Sequence, residues 1–305
     1  MSNLNLEVKL GDLHLNNPLI TASGTFGFGE EIKTFMDPEI AGAITLKGLT
    51  VDPSQGNPTP RLAETPSGIL NSIGLENPGI ENFLSNKIES VSEFKVPVIA
   101  NISGYSVDDF ALLAAKLDSC KGIDAIEVNV SCPNIAEGGM AFGTSCDLIY
   151  EVTRVVKKNY SGTVITKLSP NVTDIVEIAR AACEGGTDII SLINTLLGMA
   201  IDVHKKKPVL GNVFGGLSGP AIKPVALRMV YQINKEIDIP LIGMGGIMTG
   251  EDVIEFILAG ASAVGIGTAN LVEPAACENI LSEVRKYLKE NNIQNISSLV
   301  GKAHK

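Results

Sequence analysis

The sequence lacks several features that mark whole classes of protein, and an excess of basic charge is the first. It has 24 basic and 34 acidic residues, which gives a net charge of −10. An acidic chain repels phosphate backbones, so nucleic-acid binding is not expected. The nearest thing to a basic stripe is HKKK at His204–Lys207, which is typical of a solvated loop.

Long apolar runs are also missing. The longest nearly apolar segment, Ile189–Ile201, contains Ser, Asn and Thr and is too short to span a bilayer. The first ten residues, MSNLNLEVKL, have no basic start followed by an apolar stretch, so no signal peptide is expected. We therefore expect no membrane attachment.

Cysteine and histidine are scarce. The five cysteines form no close pair of the C-x-x-C kind, which argues against a structural zinc or an iron–sulfur cluster on this chain, and no metal site is expected. An odd number of cysteines without a leader segment predicts reduced thiols and a cytoplasmic location.

Short apolar segments rich in β-branched residues recur along the chain, separated by helical patterns. The eight segments are Pro18–Gly24, Gly42–Leu49, Val96–Gly104, Ala125–Asn134, Thr163–Pro170, Thr187–Thr195, Ile239–Ile247 and Ala263–Asn270. Nearly continuous apolar strands that alternate with helices predict a parallel sheet covered on both faces. We therefore predict an α/β fold, a (β/α)8 TIM barrel. A doubly wound sheet needs fewer strands and usually a Gly-rich first turn, which is absent here.

The segments between the strands carry further signals. Ser106, Thr173 and Thr249 precede helical patterns and are predicted N-caps. Near the start, LNLEVKLGDLHL alternates about Gly11 and Asp12, which predicts a hairpin over one end of the barrel. Two connections, 50–95 and 196–238, are too long for simple crossovers. Long loops at the carboxyl ends of barrel strands build active sites.

Polar residues or glycines end all eight predicted strands. They are Ser23; Lys47; Asn101; Asn129 with Cys132; Lys167; Asn194 with Thr195; Gly245 with Gly246; and Gly267 with Thr268. Lys47 and Lys167 lie inside apolar segments, where a buried ammonium group needs an anionic partner. That partner is either a neighbouring carboxylate or an anionic ligand, and two such lysines in one barrel favour a shared ligand.

The glycines indicate which ligand to expect. GMGGI and GIGTAN lie at the ends of the seventh and eighth strands, where barrels commonly bind a phosphate through backbone N–H groups. A phosphorylated cofactor is therefore expected. Flavin mononucleotide (FMN) fits because it has one phosphate and a ring whose reduced, anionic form a lysine such as Lys167 would stabilise.

An ordered set of motifs extends over essentially the whole chain: TLKG, NSIGLENPG, NVSCPN, INT, GGLSGPAIKP, GMGGI and GIGT. Together they resemble the dihydroorotate dehydrogenases of class 1. The resemblance implies a single FMN-binding (β/α)8 barrel domain over residues 1–305, with one FMN per chain. It also implies oxidation of (S)-dihydroorotate to orotate in de novo pyrimidine (UMP) biosynthesis.

The resemblance assigns roles to individual residues. Cys132 matches the family's catalytic general base. The implied cofactor contacts are Ser23, Lys47, Gly48, Asn101, Asn129, Lys167, Ile193, Gly219, Gly245, Gly246, Gly267 and Thr268. The implied substrate contacts are Lys47, Asn71, Ser72, Ile73, Gly74, Leu75, Asn129, Asn194 and Thr195.

The chemistry agrees with this assignment. Dihydroorotate must lose a proton from C5 and a hydride from C6, so a base and the flavin must lie on opposite faces of its ring. A thiol serves as base near neutral pH if its environment favours the thiolate, and none of the three histidines lies at a strand end. Taken alone, Cys132 is more often a buried structural thiol and Asn71 an ordinary turn residue. Cys146 is a rival base.

Within class 1, GLENPG and GGLSGPAIKPVALRMVYQI resemble subtype B, which is NAD+-linked. This implies a partner subunit that carries FAD and a 2Fe-2S cluster, and a homodimer of this chain as the core of a heterotetramer. The alternatives are subtype A, a homodimer that reduces fumarate, and a dihydropyrimidine dehydrogenase-like reductase, whose uracil substrate lacks a carboxylate. A non-catalytic FMN-binding protein is a third. Quinone-linked class 2 enzymes resemble the chain less, because they use serine where Cys132 stands.

Overall fold

Eight short parallel strands close into a barrel in this computed structural model, which describes residues 4–29, 33, 37–131 and 142–304. The barrel strands are β1 Leu19–Thr21, β2 Ala43–Thr45, β3 Val98–Ile102, β4 Ala125–Asn129, β5 Thr163–Leu168, β6 Ile189–Leu192, β7 Leu241–Met244 and β8 Ala263–Ile266. Each strand pairs with the next along the chain, and β8 pairs with β1. The predicted (β/α)8 barrel and its eight strands are confirmed.

Helices connect these strands on the outside of the barrel. The α-helices in the described ranges are α1 Ile80–Asn86, α2 Ile88–Val91, α3 Val107–Leu117, α4 Cys146–Asn159, α5 Ile175–Glu184, α6 Lys223–Glu236, α7 Gly250–Ala259, α8 Thr268–Val272 and α9 Ala276–Glu290. The buried residues of α5 include Ile175, Ile178, Ala179 and Ala182, which lie on one face of the helix. The barrel strands are buried almost throughout, as expected for a sheet covered on both faces.

Two of the three predicted N-caps are confirmed. Ser106 and Thr249 begin α3 and α7 with capping boxes, in which the cap hydroxyl and the N3 carboxylate each accept a backbone N–H. The prediction for Thr173 is wrong by one residue. Asp174 is the N-cap of α5, because its carboxylate accepts the N–H groups of two first-turn residues.

The predicted eighth strand extends too far. It ends at Ile266, and the residues from Thr268 onward form the short helix α8. Asn270, which was assigned to the strand, instead lies in α8 and donates from Nδ2 to the carbonyl of Ile266 at 3.1 Å. The chain therefore turns from strand to helix within one residue, at Gly267.

The predicted N-terminal hairpin is present. Val8–Leu10 pairs antiparallel with Leu13–Leu15. The leucines of the two strands are buried, whereas Lys9 and His14 between them are exposed. Leu15 lies next to Gly42, at the start of β2, so the hairpin covers the amino end of the barrel and leaves the carboxyl end to other segments.

The two long connections form one small sheet. Strands Leu62–Thr65 and Gly68–Asn71 come from the connection after β2, and strands Leu196–Gly198 and Gly215–Ser218 come from the connection after β6. They assemble into a four-stranded antiparallel sheet in which Gly216 pairs with Asn71. Within the second connection, Ile201–Asp202 also pairs with Lys207–Pro208.

None of the helices in the described ranges is both long enough and apolar enough to cross a membrane.

Candidate active site

The predicted site residues, with one exception, gather at the carboxyl ends of the barrel strands and in the small sheet beside them. The exception is Cys132, the predicted general base, which lies outside the described residues. The side chain of Ser23, after β1, donates to the carbonyl of Leu46, after β2, at 2.8 Å. Asn101, Asn129 and Lys167 lie on β3, β4 and β5. The parallel strands therefore place their final residues side by side.

The side chains of four predicted substrate contacts are connected to one another. Asn194 donates from Nδ2 to Asn129 Oδ1 at 3.2 Å, and its own Oδ1 accepts the N–H of Thr195 at 2.7 Å. Thr195 packs against Gly216, where a Cβ would lie 2.6 Å from Thr195 Cβ. Asn71 donates from Nδ2 to the Gly216 carbonyl at 3.2 Å. These four residues therefore line one polar surface, in which Gly216 lies between Asn71 and Thr195.

The loop formed by residues 72–75 is held in place by residues of the same connection. Asn57 donates from Nδ2 to the Ser72 hydroxyl at 3.0 Å, and its N–H donates to the Ile73 carbonyl at 3.0 Å. The Ser54 hydroxyl donates to the Gly74 carbonyl at 3.2 Å. Leu75 has a φ of 55°, which is uncommon for a bulky residue and is maintained by this surrounding structure.

This loop offers backbone donors. In the described part of the chain, the N–H groups of Ile73, Gly74 and Leu75 have no hydrogen-bond acceptor. Successive free N–H groups in a turn with positive φ angles are a common way to bind an anion such as a carboxylate.

Leu75 also connects the substrate loop to the predicted cofactor contacts. A Cβ at Gly48 would lie 3.8 Å from Leu75 Cδ2 and 2.9 Å from Asn101 Oδ1. Asn101 is 1% exposed, and its Oδ1 has no hydrogen-bond partner among the residues that the structure describes. A buried carbonyl oxygen without a donor is costly unless a bound molecule supplies one. Asn101 therefore fits a ligand that presents an N–H or O–H group.

The two predicted lysines have different surroundings. Lys167 is 5% exposed, and its Nζ lies 3.4 Å from Glu127 Oε1, so the carboxylate alternative raised by the sequence is found here. Lys47 is half-buried, and among the described residues no carboxylate lies within ion-pair distance of it. Lys47 is therefore available as a cation for an anionic ligand.

The predicted phosphate-binding residues form a second group. A Cβ at Gly246 would lie 2.9 Å from the Gly219 carbonyl, and one at Gly219 would lie 3.5 Å from Thr268 Cγ2. Gly246 also has a φ of 76°, so a side chain at this position would be strained as well as crowded. A Cβ at Gly245 would contact Ile193 at 3.3 Å. The glycines after β7 and the small sheet thus pack closely against one another and against residues that follow β6 and β8, and a phosphate would bind to their backbone N–H groups.

The described cysteines differ from a thiol prepared for catalysis. Desolvation and the carboxylates of Glu177 and Asp147 raise the pKa of Cys146, which begins α4 and is exposed. Burial raises the pKa values of Cys120 and Cys183, and it raises the pKa of Cys277 to about 12. A raised pKa reduces the thiolate fraction at neutral pH, so Cys146 is a poor rival base.

The sequence reasoning missed Glu127 and Ser191. Glu127 is 2% exposed in β4 and accepts hydrogen bonds from Asn101 Nδ2 at 2.7 Å and Ser191 Oγ at 2.9 Å, besides the pair with Lys167. The segment AIEVN contained a signal for Glu127, because residues two apart in a strand point to the same face and Glu127 is two residues before Asn129. A carboxylate at an inward position of an apolar strand needs polar partners.

The comparisons with known proteins agree on one family. The sequence model of the dihydroorotate dehydrogenase family matches residues 5–288. A protein of Desulforamulus reducens, named dihydroorotate dehydrogenase B (NAD(+)), catalytic subunit, is 58% identical over 301 residues, 99% of each chain. A protein of the same name from Alkaliphilus oremlandii is 52% identical over 302 residues, 99% of this chain and 100% of the other.

A solved structure agrees in fold. The chain superposes on DHODH from Eimeria tenella, crystallised in complex with ferulenol, with a TM-score of 0.84 over 99% of this chain and 89% of the other. At 22% sequence identity this similarity supports the barrel fold alone.

Proposed function

Because this chain belongs to the dihydroorotate dehydrogenase family, we propose that it oxidises (S)-dihydroorotate to orotate in de novo pyrimidine biosynthesis, as an NAD+-linked catalytic subunit. The near-complete coverage by relatives with that name supports the proposal. The observation that carries it is the polar surface of Asn71, Asn129, Asn194 and Thr195 at the carboxyl end of the barrel.

The substrate has groups that match this surface. Its amide and imide edges offer both donors and acceptors, which asparagine carboxamides complement. Its carboxylate suits the N–H groups of Ile73, Gly74 and Leu75, which have no acceptor among the described residues. Lys47 precedes Gly48, which lies beside Leu75, and we propose that its ammonium group adds a positive charge at this loop. Lys47 would also stabilise negative charge that develops on the ring carbonyl during proton removal. Uracil lacks the carboxylate, so it would leave these donors without a partner.

Cys132 is the proposed general base. We infer from the family motif NVSCPN that its thiolate removes the proton from C5 of dihydroorotate, while the hydride leaves from C6. Asn129 is the last residue of β4, three positions before Cys132, so the strand that supplies a substrate contact also leads directly to the base.

FMN is the proposed cofactor, one per chain, and the described residues fit it. The unpaired Oδ1 of Asn101 would accept from a flavin N–H or a ribityl hydroxyl, and Gly219, Gly246 and Thr268 would surround the phosphate. Lys167 would place its ammonium group against the ring system. When bound, FMN supplies a two-electron acceptor for the hydride of the substrate.

Electrons leave the chain through a partner in this proposal. The relatives are named as catalytic subunits, which suggests a separate electron-transfer subunit, and we propose that this subunit carries FAD and a 2Fe-2S cluster. Among the described residues no three His, Cys, Asp or Glu side chains are grouped as metal ligands would be.

We further propose that two copies of the chain form the core of a heterotetramer. The second long connection exposes several large apolar side chains: Leu197 (69%), Ile201 (59%), Val203 (72%) and Phe214 (53%). Clustered exposed apolar residues are typical of interaction surfaces. The two copies would cover this surface, close to the proposed active site.

The experiment is to purify the chain and add dihydroorotate without oxygen. The proposal predicts a yellow protein with about one FMN per chain whose flavin absorbance is bleached by dihydroorotate, and little NAD+ reduction until the co-purified partner is added. Bleaching by dihydrouracil instead would indicate a dihydropyrimidine dehydrogenase-like enzyme. Rapid reduction of fumarate, or of NAD+ by the chain alone, would contradict the subtype.

A further inference from the structure

Glu127 is the most enclosed acidic residue near the proposed active site. The residue is 2% exposed, and its carboxylate connects β4 to three other barrel strands: β3 through Asn101, β5 through Lys167 and β6 through Ser191. Asn101 and Lys167 are proposed cofactor contacts. In the described ranges, no other carboxylate forms a hydrogen bond or ion pair with the side chain of a proposed cofactor contact.

The first consequence concerns the Asn101 side chain. A carboxylate only accepts hydrogen bonds, so the group that faces Glu127 at 2.7 Å must be the amide nitrogen of Asn101. The carbonyl oxygen Oδ1 then points to the other side, toward Gly48, and no described residue donates to it. Glu127 therefore determines that Asn101 presents an acceptor, not a donor, to a ligand.

The second consequence concerns charge. The Nζ of Lys167 lies 3.4 Å from Glu127 Oε1, longer than the roughly 2.7–2.9 Å of a strong charge-assisted hydrogen bond. Lys167 therefore keeps donors for another acceptor while its charge is partly neutralised. Glu127 is two residues before Asn129 on the same face of β4, and it bonds to Asn101, Ser191 and Lys167. We expect it to act on a ligand through Asn101 and Lys167.

We propose that Glu127 is a positioning residue that orients the Asn101 amide and moderates the positive charge of Lys167 next to the flavin. This inference rests on the proposed function. The buried negative charge of Glu127 opposes the accumulation of negative charge on the reduced flavin. The reduction potential of the bound FMN is therefore lower than it would be with Lys47 and Lys167 alone.

The test is the FMN midpoint potential of the purified FMN-bound chain in the variant Glu127→Gln, which removes the charge but keeps the size and the acceptor for Asn101. We expect a positive shift that corresponds to an increase on the order of tenfold in the equilibrium constant for two-electron reduction, about 30 mV. Ser191→Ala is the matched control, because it removes one hydrogen bond to Glu127 and no charge. We expect it to leave the potential unchanged.

A second variant keeps the inference open to refutation if Glu127→Gln does not fold or bind FMN. Glu127→Asp keeps the charge but shortens the side chain, so we expect weaker FMN binding with a potential close to that of the original chain. A purely structural role would lower the melting temperature of all three variants without a charge-dependent shift, and that result would overturn the inference. If the unsubstituted chain itself binds no FMN, the proposed function fails instead.

Discussion

Gly216→Ala tests whether the two long connections form a single substrate surface. Gly216 pairs with Asn71 and packs against Thr195. A Cβ at this position would overlap Thr195 Oγ1 and lie 2.6 Å from Thr195 Cβ, whereas ordinary contacts begin at 3.4 Å. Rotation of the Thr195 side chain moves its Oγ1 but not its Cβ. The backbone of Thr195 must therefore retreat by about 0.8 Å, the difference between 3.4 and 2.6 Å.

The size of the effect follows from that movement. A displacement of about 1 Å in a binding site costs up to about 100-fold in activity, and overpacking costs about 1–3 kcal/mol. We expect the dissociation constant for orotate to rise by about 10- to 100-fold, since each 1.4 kcal/mol is about tenfold. FMN content should stay the same, because the substitution lies on the substrate side of the site.

The assay is titration with orotate, followed by the change in flavin absorbance, with anaerobic reduction by dihydroorotate as a second measurement. Gly198→Ala is the matched control in the same small sheet. A Cβ at Gly198 meets only the end of the Leu70 side chain at 3.0 Å, which can shift, so orotate affinity should be nearly unchanged. Equal affinities for the two variants, with FMN bound in both, would refute the reasoning.

Three further predictions concern other parts of the chain. Cys132→Ser should retain FMN but slow its reduction by dihydroorotate near neutral pH, because a hydroxyl is a far weaker acid than a thiol; unchanged anaerobic kinetics would place the base elsewhere. Although burial opposes ionisation, hydrogen bonds from Lys223 and from the N–H groups of Met248 and Thr249, just before α7, lower the pKa of Asp252. Asp252→Asn should therefore lower the melting temperature at neutral pH, and the difference should shrink as the pH falls from about 4, the usual pKa of an unfolded Asp, through the lower pKa of the folded protein; a pH-independent difference would argue against this. Replacing Val203 and Phe214 by serine should convert the proposed homodimer to monomers in light scattering while FMN stays bound, and a persistent dimer would exclude this surface.

Much of the barrel was predictable because its signals are local. The eight strands are short apolar segments, and the residues at their ends share one end of the barrel because the strands are parallel. Alternation with a period of two then places Asn129 and Lys167 toward the site. The N-caps depend on only three or four neighbouring residues, and the error at Thr173 arose because the adjacent Asp174 offers an equivalent acceptor.

The site residues were predicted from motifs, and for Cys132 the motif is the sole basis of the prediction. Its predicted role depends on NVSCPN, since the residue lies outside the described part of the structure. For the other predicted residues the structure adds their contacts, which no motif contains. The pairing of Asn71 with Gly216 and the packing of Gly216 on Thr195 bring segments that are far apart in sequence together at the proposed substrate site.

By itself, the sequence determined the order of strands and helices, the barrel fold and the residue types at the carboxyl ends of the strands. Only the tertiary structure decided which of these residues have partners. Glu127 accepts from Ser191, 64 residues away, and from Lys167, 40 residues away, whereas Lys47 has no carboxylate partner among the described residues. The physical reason is that periodicity and capping arise from near neighbours, whereas buried charges and amides are satisfied across strands that meet only when the barrel closes.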